Sequence, residues 1–293
     1  MKVAIYGQTI QDNTIEFVHE LIDELKMAKA EVFIEKVFYN LLREKGPIED
    51  FKTFTETEGL DSSFDMFVSF GGDGTILRAI TYIWDLGIPI VGVNTGRLGF
   101  LSTFRKEEVR KVVREFLAGA YVIKERSLVE IHSDYDIPEF GDMRFALNEV
   151  TVSRKDTTSM ITVETYLNDE YLTSYWADGL IISTPTGSTG YSLSSGGPII
   201  VPGVHALAIT PIAPHNLNAR PLVISDDTLI RLVVSGREDH HLVSLDSRIA
   251  TLKNGREILI KKAPFYIKMI EYTSESFLKT IRNKLLWGQD SRN

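Results

Sequence analysis

The chain has 293 residues, with 32 Lys and Arg against 40 Asp and Glu for a net charge of −8, and it has no Cys. That balance gives no overall attraction to nucleic acid or to an anionic membrane, and the absence of thiols excludes disulfides, thiolate metal sites and a Cys nucleophile. Hydrophobic residues at 43% and charged residues at 25% match a folded chain of about two domains. No apolar run reaches membrane-spanning length and the amino end turns polar too early for a signal peptide, so a soluble cytoplasmic protein is expected.

Residues 3–6 form a short apolar run closed by Gly7, the pattern of a buried strand. Ile15, Val18, Leu21, Ile22 and Leu25 follow at helical spacing, behind two capping candidates, Asp12 and Asn13. Residues 35–58 mix a helical pattern with a polar loop. Residues 66–70 read as another buried strand, which runs straight into Gly71-Gly72-Asp73-Gly74-Thr75, and a helical pattern extends from there to residue 84. Residues 88–93 read as a third such strand. Val109, Val112, Val113, Phe116 and Leu117 mark one helical face that ends at Gly119. Strands alternating with helices predict a parallel sheet with helices on its faces.

The period changes near Glu125. Residues 128–132, 145–153, 161–167, 171–175, 180–183, 229–234, 242–245, 258–261 and 266–270 are all strand-like, and Asn168-Asp169 reads as a hairpin turn that lacks the usual glycine. Many short strands without intervening helices predict a sandwich or barrel-like domain. Residues 276–287 resemble a closing helix. The expected organisation is a Rossmann-like α/β domain over 1–125, completed by 271–293 with the last helix returning to it, and a β-sandwich-like domain over 126–270.

Gly71-Gly72-Asp73-Gly74-Thr75 lies where a strand gives way to a helix. Glycines there let backbone N–H groups approach a ligand, and the helix start adds partial positive charge, so phosphate is a natural guest. The competing reading is a tight turn with Asp73 as a helix cap. A carboxylate beside phosphate is repulsive unless it accepts a proton from an attacking hydroxyl or holds a divalent cation. The chain contains neither a GxxxxGK[ST] P-loop nor, after Gly7, a GxGxxG fingerprint.

A second dense stretch, DGLIISTPTGSTGYSLSSGGP at 178–198, offers five glycines and many hydroxyls with no positive charge. Such groups suit ribose, amide and base recognition, and they equally suit a long surface loop. Asn148-Glu149 interrupts an apolar strand pattern. One of the pair must face inward or lie at an edge, either to grip a ribose diol or as a β-bulge.

Together with NTGRLGFL at 94–101, PIAPHNLNARPLVI at 211–224 and KLLWG at 284–288, these motifs resemble the NAD kinase family over nearly the whole chain. The GGDG loop is also shared with diacylglycerol-type lipid kinases and phosphofructokinases. The resemblance implies transfer of the γ-phosphoryl of ATP to the 2′-hydroxyl of the adenosine ribose of NAD, giving NADP and ADP. It implies Asp73 as general base, with Mg²⁺ as the divalent cation accompanying ATP and its protein ligands unassigned. For nucleotide binding it implies Gly74, Arg78, Phe100, Asn148, Glu149, Asp178, Thr186, Thr189, Gly190, Tyr191, Ser192, Leu193 and Ser194, and it extends to Ala213 and Arg248. The partners implied are small-molecule nucleotides, with no nucleic acid or membrane, in a homodimer or homotetramer whose β domain supplies much of the NAD site. Gly190 departs from the Ala common in the family, Trp176 stands where some members have Arg, and Ser159 where a basic residue or His occurs. The alternatives are a lipid kinase of the diacylglycerol kinase type and a non-catalytic NAD-sensing module.

Overall fold

The computed structural model describes every residue except 11–13, 97–98, 103, 157–158, 273–275 and 288–293. The chain divides into two compact units, one of residues 1–125 and 267–293, the other of 126–266.

In the first unit the chain runs β1 (Lys2–Gly7), α1 (Thr14–Met27), β2 (Glu31–Glu35), α2 (Lys36–Lys45), β3 (Lys52–Phe54), β4 (Met66–Phe70) and α3 (Asp73–Ile83). It continues through β5 (Ile90–Asn94), β6 (Phe104–Arg105) and α4 (Val109–Leu117). The strands pair in the order β3-β2-β1-β4-β5, all parallel. β4 and β5 are buried at every position, as expected of parallel strands covered on both faces. Val3, Ile5, Val68, Val91 and Val93 share one core with Val18, Leu21 and Leu25 of α1 and with Val109, Val112 and Val113 of α4. The ambiguous segment at 35–58 resolves into the end of β2, α2 and the short edge strand β3. The buried Glu35 carboxylate caps α2 by accepting from the Phe38 amide at 2.8 Å. The capping candidates Asp12 and Asn13 lie outside the described residues.

The second unit takes up the chain within β7 (Tyr121–His132) and continues through β8 (Phe145–Ala146), β9 (Glu149–Arg154), β10 (Ile161–Leu167), β11 (Glu170–Ala177), β12 (Gly179–Ser183) and the single-turn α5 (Tyr191–Ser194). Then come β13 (Ala206–Ile212), β14 (Leu222–Ser225), β15 (Ile230–Gly236), β16 (His240–Leu245), β17 (Arg248–Lys253) and β18 (Glu257–Tyr272). The far end of β18 belongs to the first unit, where Met269 pairs in parallel with Ile90, and α6 (Phe277–Leu285) follows there.

Within the second unit one antiparallel set runs β11-β10-β15-β18 and another β14-β13-β12-β9-β16-β17. Val163 and Leu232 from the first set and Val150, Leu180, Ile209 and Val243 from the second lie in one core, which is sandwich packing. Asn168 and Asp169 have φ of 49° and 66°, the doubly left-handed geometry of a type I′ hairpin, so Asn and Asp fill the turn without glycine. β13, β14 and β17 carry no strand prediction, and the segments at 258–261 and 266–270 are parts of one continuous strand, β18.

Candidate active site

The predicted residues fall in both units, with one group around Asp73 and another around Asn148-Glu149. The first begins where β4 passes into α3. Gly71 has φ of +152°, and a Cβ there would come within 2.1 Å of Thr75 Oγ1, so only glycine can turn the chain this tightly. Gly72 caps α3 with its backbone, and a Cβ on Gly72 or Gly74 would meet nothing within 4 Å. The loop is therefore uncrowded at the side-chain positions of both glycines.

Asp73 does not cap its own helix. Its carboxylate reaches the 99–102 segment, where Oδ2 accepts from the Phe100 amide at 2.7 Å. Oδ1 accepts from the amides of Leu101 and Ser102, both at 3.0 Å, and from Ser102 Oγ at 3.1 Å. Asn94 supports this segment by donating from Nδ2 to Ser102 Oγ at 2.9 Å. Gly99 is what allows the approach, because a Cβ there would stand 1.7 Å from Asp73 Oδ1. Donors thus surround the carboxylate that would otherwise repel phosphate.

The second cluster is built around Asn148-Glu149, at the start of β9. Thr184 ties the 184–190 loop to this point: its Oγ1 donates to the Leu147 carbonyl at 2.6 Å and its amide to the Asn148 carbonyl at 2.9 Å. Gly187 lies so close that a Cβ would fall 2.0 Å from the Asn148 carbonyl oxygen. A Cβ on Gly190 would lie 3.3 Å from Glu149 Oε2 and 3.6 Å from Asn148 Nδ2, so both polar ends face the turn at Gly190. Glu149 is only 9% exposed, and its Oε2 has no hydrogen-bond partner among the described residues. Burial, reinforced by the nearby Asp246, pushes its carboxyl up to about 8.

Matches to known proteins cover both units. The ATP-NAD kinase N-terminal domain matches residues 3–121, and the ATP-NAD kinase C-terminal domain matches 147–272. An NAD kinase of Christiangramia forsetii is 57% identical over 297 aligned residues, covering 100% of both chains. The chain belongs to the NAD kinase family. Among solved structures, yeast NADH kinase complexed with NADH has a TM-score of 0.84 at 25% identity, covering 99% of this chain and 88% of that one. An Archaeoglobus fulgidus NAD kinase in complex with ATP has a TM-score of 0.76 at 25% identity, covering 98% and 99%. The enzyme is a kinase that uses ATP to phosphorylate NAD to NADP, and neither the lipid-kinase nor the non-catalytic alternative is supported.

The remaining predicted residues of the kinase are placed as follows. Arg78, one turn into α3, is engaged by Glu56 at 3.3 Å, and the Phe100 ring sits beneath Lys284 Nζ at 5.7 Å. Tyr191 is 47% exposed and presents a ring to solvent, Ser194 is exposed and Leu193 half-buried. Several hydroxyls of the 178–198 stretch turn inward, because the stretch forms two short helical turns rather than an open surface loop. Ser188 Oγ donates to Pro185 O, Thr189 Oγ1 donates to Thr186 O, and Ser192 Oγ pairs with Thr210 Oγ1 at 2.9 Å. Thr186 is buried.

Asp178 pairs with Arg154 at 3.1 Å, and Ala213, just past β13, has a left-handed φ of 43°. Arg248 turns its guanidinium onto the carbonyls of Met143 and Phe145. His215 packs its ring on Trp176 with centroids 4.9 Å apart, a loop-packing role. Ser159 is half-buried. Arg97, Leu98 and Gly288 of the quoted motifs lie outside the described residues.

Sequence reasoning missed Asp246. Its carboxylate accepts from the amides of Leu147 at 2.9 Å, Asn148 at 2.8 Å and Glu149 at 3.2 Å. Burial pushes its carboxyl up, while the three amides and Arg248 act against the rise. The only local signal is an Asp just past the strand-like segment 242–245, and Asp is common in turns.

Proposed function

We propose that Asp73 is the general base that takes the proton from the 2′-hydroxyl of the adenosine ribose as that oxygen attacks the γ-phosphorus of ATP. One observation carries this reading. Among the described residues, Asp73 Oδ2 accepts a single hydrogen bond while Oδ1 accepts three, which leaves Oδ2 a lone pair for the hydroxyl proton. The amides of 100–102 hold the carboxylate in one orientation, so little rearrangement is needed at the moment of transfer. The open backbone at Gly72 and Gly74 would cradle phosphate oxygens at the start of α3, with Arg78 exchanging Glu56 for phosphate.

For the acceptor nucleotide, Asn148 and Glu149 would hold adenine and ribose groups. Asp178 would serve the nicotinamide end, and Thr186, Thr189, Gly190, Tyr191, Leu193 and Ser194 would line the dinucleotide, with Tyr191 as a stacking face. Ser192 would support this loop through Thr210. Phe100 would wall the adenine side, and Arg248 would act through the carbonyls it holds.

The described residues contain no cluster of three or more Asp, Glu or His side chains able to hold a metal ion. The divalent cation that accompanies ATP would neutralise phosphate charge. Among the described residues no helix is long and apolar enough to cross a membrane. A cytoplasmic homodimer or homotetramer is the assembly proposed.

The test is Asp73→Asn, assayed for NADP formation and titrated with NAD. Turnover should fall by about 10²–10⁴-fold, while NAD affinity stays within about tenfold, or ~1.4 kcal/mol. Unchanged turnover would remove Asp73 from the chemistry.

A further inference from the structure

The turn between β16 and β17 places two residues of opposite charge against one stretch of backbone. Asp246 takes the three successive amides of Leu147, Asn148 and Glu149, and its own amide donates to the Glu149 carbonyl at 3.1 Å. Two residues on, the Arg248 guanidinium donates to the carbonyls of Met143 and Phe145 and lies 5.5 Å from the centre of the Phe145 ring. The carboxylate thus accepts from N–H groups of this stretch, and the guanidinium donates to its C=O groups. Asp246 has φ of +54°, the left-handed backbone that Asp tolerates in the two-residue hairpin turn between Leu245 and Arg248.

Adjacent residues on a regular strand point to opposite faces, yet Asn148 Nδ2 and Glu149 Oε2 both lie within 4 Å of one point, the position a Gly190 Cβ would occupy. That convergence requires the chain to leave regular strand geometry between β8 and β9, and such a departure frees backbone amides that need acceptors. Asp246 supplies them.

We infer that Asp246, with Arg248 behind it, is a positioning residue for NAD recognition: the turn holds residues 143–149 in the irregular shape that brings Asn148 and Glu149 to one side. The inference rests on the reading of Asn148-Glu149 as NAD-binding residues. It gives Arg248 a role that needs no contact with the nucleotide.

The experiment uses the full-length enzyme and compares Asp246→Asn, Asp246→Ala, Arg248→Ala and Asn148→Ala by steady-state kinetics in NAD and in ATP. Amide hydrogen exchange at residues 147–149 is measured alongside. Asp246→Ala should raise KM for NAD at least tenfold, with kcat within about threefold and KM for ATP within twofold. Asp246→Asn keeps one acceptor oxygen and should fall between Asp246→Ala and the native enzyme, a graded rescue that general loosening of the fold would not produce. Arg248→Ala should raise KM for NAD about threefold. Protection of the 147–149 amides should drop in both Asp246 variants. Should Asp246→Ala not fold, Asp246→Asn carries both readouts. A raised NAD KM in Asn148→Ala together with native NAD KM and native exchange in Asp246→Asn overturns the positioning role alone. An unchanged NAD KM in Asn148→Ala overturns the underlying reading of that residue, and the inference with it.

Discussion

Each unit of this kinase stabilises an irregular segment with one aspartate that collects three consecutive backbone amides. In the first unit Asp73 takes those of 100–102, and in the second Asp246 takes those of 147–149. Each arrangement also needs a glycine at close quarters, Gly99 against the Asp73 carboxylate and Gly187 against the Asn148 carbonyl. The two differ in which partner carries the chemistry. Asp73 is itself the proposed base, and the amides orient it. Asp246 does the orienting, and the amides it takes belong to the residues proposed to touch NAD. The same set of hydrogen bonds serves in one unit to aim a carboxylate and in the other to aim a peptide segment.

The strongest way to break this comparison is Gly99→Ala. The added methyl would overlap Asp73 Oδ1 at 1.7 Å, so the carboxylate or the loop must shift. A misplacement of that size is expected to lower turnover by about 10–100-fold, read as the initial rate of NADP formation. A rate within twofold of native would separate Asp73 from its amide support.

Gly187→Ala tests the second unit. Its Cβ would lie 2.0 Å from a backbone oxygen, which cannot swing aside as a side chain can. We expect a stability loss of about 1–3 kcal/mol by urea unfolding, together with weaker NAD binding. Native stability would mean that the 184–190 loop is adaptable where Gly99 is not.

Glu149→Gln sharpens the comparison through pH. The folded Glu149 carboxyl, raised to about 8, retains a proton that the unfolded chain releases near 4.5. The Glu149 contribution to the stability of the NAD-free protein should therefore be fully present below about 4.5 and fall by up to ~1.4 kcal/mol per pH unit between about 4.5 and 8. Gln at this position should flatten the decline, with a residue remaining from Asp246, whose raised carboxyl acts with the same sign. Urea unfolding across pH 5–8 reads the slope, and an unaltered slope would show that the burial of Glu149 has no energetic consequence. The smallest effect is expected for Gly190→Ala. Its methyl would stand 3.2 Å from Gly187 O and 3.3 Å from the movable end of Glu149, so KM for NAD should change by no more than about threefold, given that tight contacts of this kind relax locally.

How much of this was legible in the sequence depended on how local each feature is. Parallel strands buried on both faces appear as continuous apolar runs, so those of the Rossmann-like domain at 3–6, 66–70 and 88–93 stand out. Gly71-Gly72-Asp73-Gly74 is conspicuous because the turn and its aspartate are contiguous. β13, β14 and β17 were harder to see. Leu222–Ser225 has only four residues and alternates between half-buried and exposed, while Arg248–Lys253 is charged at both ends. The hydroxyl-rich run at 178–198 suggested a ligand surface, but a hydroxyl bonds equally well to a neighbouring carbonyl. Its composition does not reveal which hydroxyls, such as Ser188 and Ser192, are used internally.

The order of residues by itself determined the α/β and β character of the two parts, the family and its reaction, and the aspartate in the glycine loop, because periodicity and contiguous motifs are properties of neighbouring positions. Only the tertiary structure decided where the Asp73 carboxylate turns, why Gly99 must lack a side chain, and that Asp246 and Arg248 grip residues about a hundred positions earlier in the chain. The physical reason is that a buried amide must find an acceptor, but nothing in its own sequence neighbourhood specifies which distant strand will bring one.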